Sequence, residues 1–177
     1  MLRPATDSDR DALLAWRNHP HVRAVSLTGH VITPEEHAAW WATTASDPAR
    51  HLYIYERGGV AAGVVMFAGP DHARAAMWSF YLDVAGLEAR GELLPAWIEA
   101  PRQAVRHAFD ELGLTVLTGE VLGHNAVVRQ MNRRLGFRET AMDLRDVDGV
   151  PTEVVTVELR NEERRDRQRA GATTRKG

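Results

Sequence analysis

The chain has 177 residues, 44% of them hydrophobic and 26% charged, with a net charge of −2. That is the balance of one globular domain with enough chain to bury a core. It contains no cysteine, which excludes a disulfide framework, thiolate catalysis and cysteine-ligated zinc.

The opening MLRPATDSDRD carries charges where a signal peptide needs an apolar run. No stretch reaches membrane-spanning length, so the sequence predicts a cytoplasmic protein with no membrane partner. Leu2–Ala5 reads as a first strand, and Thr6 or Asp7 caps a helix to about Asn18 that Pro20 ends. His21–Val31 reads as a loop or a short second helix. Thr33-Pro34-Glu35-Glu36 starts another helix, with Thr as cap, Pro at the first position and a carboxylate at the third. That helix carries His37, Trp40 and Trp41 and stops near Asp47-Pro48. Three β-runs follow, His51–Glu56, Val60–Phe67 and Ala75–Val84, with turns at Gly58-Gly59 and Gly69-Pro70-Asp71. Leu93–Leu112 reads as a long helix that Pro101 should kink or divide. A strand, Thr115–Leu122, then stops at Gly123-His124-Asn125. An amphipathic helix with Val127, Val128, Met131 and Leu135 on one face ends at Gly136-Phe137. Phe137–Asp143 and Thr152–Leu159 are the final strands, around a turn at Asp148-Gly149-Val150-Pro151.

Residues 1–160 thus form one domain. Residues 161–177 hold six Arg or Lys against three acidic residues and almost nothing apolar. Composition makes them a mobile extension or an arm for RNA or a partner, and leaves the body more acidic than the whole. An acidic body argues against nucleic acid and favours a cationic amine. Eight histidines include His19-x-His21 with His30 or His37. No Cys, His-Glu-x-x-His or acidic cluster accompanies them, so no metal site is expected.

The segment LTGEVLGHNAVVRQMNRRLGFR, Leu117–Arg138, combines a strand, Asn at a helix entrance, a short basic helix and Gly-Phe into another strand. It resembles the C-terminal half of the GNAT-superfamily acyl-CoA N-acyltransferases, and the order β-α-α-β-β-β-α-β-α-β-β matches that fold element for element. The resemblance implies an α+β fold, an α/β/α sandwich on a mixed, mostly antiparallel sheet splayed between its fourth and fifth strands. It also implies acetyl-CoA as acyl donor, with no metal, and a small-molecule amine as acceptor. The pantetheine arm would enter the splay against the backbone of Leu82, Asp83 and Val84. The pyrophosphate would lie on the turn formed by Arg90, Gly91, Glu92 and Leu93. There the chain departs from the family pattern: Pro95 lacks an N–H, and Glu92 brings a charge like that of the phosphate. Asn125 would cap its helix and help line the arm. Arg129, Arg133 and Arg134 read as a solvated stripe or a phosphate clamp.

Many of these enzymes place a Tyr four residues before the Gly of Gly-Phe to protonate the leaving thiolate. Here that residue is Asn132, whose amide cannot supply a proton near neutral pH, so Tyr81 or a water would take the role. Candidate bases are His37, Glu120 and His124. The element Trp16-Arg17-Asn18…Val22-Arg23, with Ile32–His37 and Trp40, is similar to the nucleotide-linked amino-sugar N-acetyltransferases of pseudaminic acid biosynthesis. That resemblance implies a 4-amino deoxy sugar as acceptor, held by Arg17, Asn18, Arg23, Trp40 and Trp41. N-terminal acetylation of ribosomal proteins and non-catalytic acyl-CoA binding are the alternatives. The sequence leaves a homodimer open.

Overall fold

The computed structural model describes residues 1–69 and 74–166. Its elements are, in order, strand β1 (Leu2–Pro4), helices α1 (Arg10–Arg17), α2 (Pro20–Arg23) and α3 (Pro34–Ser46), and strands β2 (Arg50–Arg57), β3 (Val60–Ala68) and β4 (Ala75–Leu82). Then come α4 (Val84–Ala89), α5 (Leu93–Arg106), β5 (Val116–Leu122), α6 (Ala126–Leu135), β6 (Arg138–Val147) and β7 (Val150–Arg160). The strands form one seven-stranded sheet in the order β1-β2-β3-β4-β5-β7-β6. All neighbours are antiparallel except β4 and β5.

That parallel pair holds for three residues only, Ala75, Ala76 and Met77 against Val116, Leu117 and Thr118, and beyond Met77 the two strands part. β3 crosses the centre of the sheet with Ala62, Gly63, Val64 and Val65 all buried, as a strand covered on both faces should be. Successive side chains alternate between the faces. Leu13, Trp41, Ile54 and Val64 make the core under α1 and α3. Trp78, Ala104, Phe109, Leu117, Phe137 and Val157 make the core under α5 and α6. The expected α+β fold with its splay is therefore present.

The elements depart from the sequence reading in four places. α5 runs unbroken through the fully buried Pro101, and the irregularity comes later, in a wider π-turn at His107–Glu111 that seats Ala108 and Phe109 in the core. β4 stops at Leu82 because Asp83 caps the extra helix α4, its carboxylate accepting from the Gly86 N–H at 3.0 Å. The last two strands are longer than expected and turn tightly at Asp148 (φ 52°) and Gly149 (φ 81°). Pro151 fits in β7 because it lies beyond the end of β5, whose last pair is Leu122 with Val154. Finally, residues 161–166 are helical. Arg164 pairs twice with Asp110 at 2.8 Å and lies 5.6 Å from the Phe109 ring, while Glu163 pairs with Arg138. The rest of the expected mobile tail, and Pro70-Asp71 of the expected turn, lie outside the described residues. No helix among the described residues is long and apolar enough to cross a membrane.

Candidate active site

Where β4 and β5 part, a cavity of about 770 Å³ passes between them, within the range of small-molecule sites. Its two sides differ in chemistry. Under α1–α3 it is lined by Arg17, Val22, Val25, Leu27, His37, Trp40, Tyr81 and Glu120. Under α5 and α6 it is lined by Leu93, Trp97, Val121, Asn125, Val128, Met131 and Asn132.

On the α6 side, Asn125 is the helix cap, its Oδ1 accepting from the Val128 N–H at 3.2 Å. Asn132 is 4% exposed, and its Oδ1 has no partner among the described residues. A buried acceptor left unpaired is costly, and a donor entering the cavity would satisfy it. The inner edges of β4 and β5 beyond Met77 and Thr118 are unpaired with each other, as a peptide-like arm requires. At the start of α5 the Leu93 and Leu94 amides are free by helix geometry, Pro95 has none, and the space above Gly91 (φ 67°) is open. These groups fit coenzyme A, with fewer phosphate donors than a glycine-rich turn supplies. Glu92 does not face the cavity: it pairs with Arg57 at 3.2 Å and Arg90 at 3.1 Å. Arg90 and Gly91 lie outside the lining as well, and so does Asp83, spent on its cap. Leu82, Val84 and Leu93 do line it. Arg129 and Arg133 pair with Glu139 at 2.8 and 3.0 Å, and Arg129 also donates to the Gly123 carbonyl. They are therefore committed within the protein.

On the α3 side, His37 is 5% exposed, its ring centroid 5.2 Å from that of Trp40, and its Nε2 has no partner among the described residues. Burial pushes its pKa below the ordinary value, nearby Arg10 adds to the shift, and Asp11 opposes it. Burial pushes the Tyr81 phenol up, with Arg17 opposing, so the hydroxyl stays protonated; it reaches the Leu13 carbonyl at 3.5 Å. Glu120 accepts from Arg145 at 2.7 Å, so its carboxylate is already neutralised. His124 is exposed and does not line the cavity.

Of the expected acceptor residues, Arg17 and Trp40 line the cavity and three do not. Trp41 is a core residue whose indole N–H donates to Asp7 at 2.8 Å. Asn18 makes a two-way bond to the backbone of Ile32, at 2.8 Å each. Arg23 donates to the Gly29 carbonyl at 2.8 Å, and Arg17 to the Thr28 carbonyl at 2.7 Å. The Trp-Arg-Asn…Val-Arg element is thus the scaffold of the loop between α2 and α3. Arg17 keeps one buried guanidinium nitrogen without a partner among the described residues. Glu36 is tied up too: its carboxylate accepts from the Thr33 N–H at 2.7 Å and lies 3.2 Å from the His30 ring, and the Thr33 bond is the main cause of its lowered pKa.

Sequence reasoning missed Val25, Leu27, Trp78, Trp97 and Met131 as cavity residues. Val25 and Leu27 offered a signal, being apolar residues in a stretch with no helical or strand period. Among the described residues, no group of three or more His, Asp or Glu side chains is gathered as metal ligands.

The chain and its fold match known proteins. The model described as an acetyltransferase (GNAT) domain matches residues 1–138. Among solved structures, a protein provisionally assigned as a phosphinothricin N-acetyltransferase is 23% identical, with a TM-score of 0.71 over 90% of this chain and 97% of its own. The spermidine N-acetyltransferase of Vibrio cholerae, solved with CoA and spermine, is 14% identical, with a TM-score of 0.77 over 92% of this chain and 95% of its own. No curated protein sequence matches the chain.

Proposed function

This chain belongs to the acetyltransferase (GNAT) domain family, and from that premise we propose that its cavity acetylates the primary amine of a small molecule. The observation that carries the reading is the cavity through the splay, with an unpaired Asn132 on one side and the neutral-leaning His37 on the other.

Acetyl-CoA supplies the thioester, whose acyl carbon bonds to the amine nitrogen while the C–S bond breaks and its electron pair leaves on sulfur. The donor's arm is assigned to the inner edges of β4 and β5, with Asn125 and Asn132, and its pyrophosphate to the start of α5 at Leu93. The amine must be neutral to attack, and His37 is assigned as the base that takes its proton. Tyr81 is assigned as a hydrogen-bond donor that steadies developing negative charge. Much of the rate would come from orientation, since thioester and amine are already reactive partners. Tyr81→Phe is expected to lower kcat by about 10-fold or more at unchanged Tm; an unchanged kcat would remove Tyr81 from this role.

The finer reading of the acceptor is the 4-amino group of a deoxy amino sugar, nucleotide-linked or carried on a natural product. Trp40 supports it as a stacking face and Arg17 as a donor for one ligand oxygen. Arg23 and Asn18 no longer support a diphosphate clamp, because the loop backbone occupies them. A polyamine acceptor such as the one bound by the Vibrio enzyme is disfavoured, because both cavity carboxylates are engaged within the protein, Glu120 by Arg145 and Glu36 by the Thr33 N–H and His30. Thiol release from acetyl-CoA with 4-amino-sugar nucleotides, but with neither spermidine nor N-terminal peptides, is the expected result. Turnover of peptides alone would overturn the amino-sugar reading. Calorimetry that shows no acetyl-CoA binding at millimolar concentration would sink the enzymatic one.

A further inference from the structure

The loop between α2 and α3 runs over the acceptor side of the cavity and directs Val25 and Leu27 into its lining, although they are 45% and 39% exposed. A surface loop with apolar side chains over a cavity is expected to be mobile unless its backbone groups are bonded. Here they are. Three of the restraints come from the segment just before the loop: Arg17 on Thr28, Arg23 on Gly29 and Asn18 on Ile32. The fourth comes from 119 residues away. Asp148, at the tip of the β6–β7 hairpin, accepts from the Gly29 N–H at 2.6 Å. Gly29 therefore has its carbonyl held from one side and its amide from the other.

Two details mark this contact as built. Asp148 has φ 52°, a left-handed conformation that Asp, Asn and Gly tolerate best. It aims the carboxylate out of a two-residue turn. Gly29 is not in that conformation, so its lack of a side chain answers to space: a Cβ there would lie 2.7 Å from the Asp148 Oδ2. The same hairpin touches the acceptor side once more, through Arg145 on Glu120. Both contacts come from beyond residue 138, where the match to the family model ends.

From these observations we infer that Asp148 is a positioning residue for the acceptor: the hairpin tip clasps Gly29 and holds Val25 and Leu27 as a fixed apolar wall of the acceptor site. The inference rests on the N-acetyltransferase reading of the cavity. Asp148 touches no reacting atom and acts through the loop. Its loss should raise the acceptor KM and leave the acetyl-CoA side, built on β4, β5 and α6, alone.

The test compares Asp148→Asn with Asp148→Gly in the full chain. Both keep the left-handed turn, but only Asn keeps an oxygen for the Gly29 N–H. Two quantities are read: hydrogen exchange of the amides in residues 24–32 by mass spectrometry, and KM for acceptor and for acetyl-CoA separately. The Gly variant is expected to exchange those amides about 10-fold faster and to raise acceptor KM several-fold, the scale of one hydrogen bond. Acetyl-CoA KM should not change, and the Asn variant should behave as wild type in every measure. Gly29→Ala should copy the Gly variant, and combining it with Asp148→Gly should add little, since the two break one contact. Wild-type exchange and wild-type acceptor KM in Asp148→Gly would overturn the inference, as would an equal rise in both KM values. Should the exchange respond while no amine is acetylated even by wild type, the N-acetyltransferase reading fails and the clasp alone stands, with no acceptor to position.

Discussion

Replacing His37 by alanine is expected to lower kcat by about 10²–10⁴-fold, the usual share of a general base, and to leave acetyl-CoA binding unchanged. His37 faces the cavity from α3, and its Nε2 has no partner among the described residues. Its pKa is lowered, chiefly by burial. The sign of the pH dependence follows. A lowered pKa keeps the ring neutral, and able to accept a proton, to a more acid pH than an ordinary histidine allows. The acid limb of kcat/KM should therefore lie below about pH 6.5, the ordinary histidine value, and should be lost in the alanine variant. Stability obeys the same linkage. The unfolded chain takes up the proton more readily, so this residue's contribution is present above the unfolded pKa and is lost as pH falls through it towards the folded value. A purely structural histidine would lower Tm without moving the pH profile. An alanine variant with wild-type kcat and a wild-type acid limb would remove His37 from the chemistry.

The fold was legible because its signals are local. Thr33-Pro34-Glu35-Glu36 delivers the expected cap, with Thr33 Oγ1 accepting from the Glu36 N–H at 3.2 Å and the Glu36 carboxylate reaching back to the Thr33 N–H. Asn125 and Gly136 likewise bound α6 as read, Gly136 in the left-handed conformation at φ 98°. The site was legible in part, for a physical reason. Residue type told which side chains could bind or catalyse but not which were already engaged. Asn18 and Arg23 look like ligands for a substrate, and their hydrogen bonds go to Ile32 and Gly29 instead. Glu120 looks like a base, and Arg145, 25 residues on, neutralises it across β7. Such pairings depend on sheet order, and no local pattern encodes them. Trp40 and Trp41 both look like stacking faces, but they point about 100° apart on α3; Trp40 lines the cavity and Trp41 turns into the core.

Replacing Trp78 by alanine is expected to cost about 3–5 kcal/mol of stability, about 6–20 °C in Tm for a chain of this size, and to weaken acetyl-CoA binding as well. The two effects share one cause. The β4–β5 ladder ends at Met77 with Thr118, so the next residues along the two strands are Trp78 and Gly119. The Trp78 indole lies across this point: a Cβ on Gly119 would sit 3.2 Å from its Nε1 and 3.4 Å from Val157. Phe80 and Phe137 both stack against it, each with its centroid 5.5 Å away and tilts of 9° and 18°. The ring is 5% exposed and also lines the cavity. It packs over Gly119, the residue that leaves room for it, and its expected role is that of a wedge at the parting strands. Without the indole, β4 and β5 lose a reason to part, and their unpaired inner edges can approach each other at the expense of the arm that would occupy them. Trp78→Phe keeps a flat ring in the stack and should recover most of the Tm. Calorimetry then separates wedge from ballast. If the alanine variant is destabilised yet, well below its Tm, binds acetyl-CoA as wild type does, Trp78 is a core residue only and the splay is held open by something else.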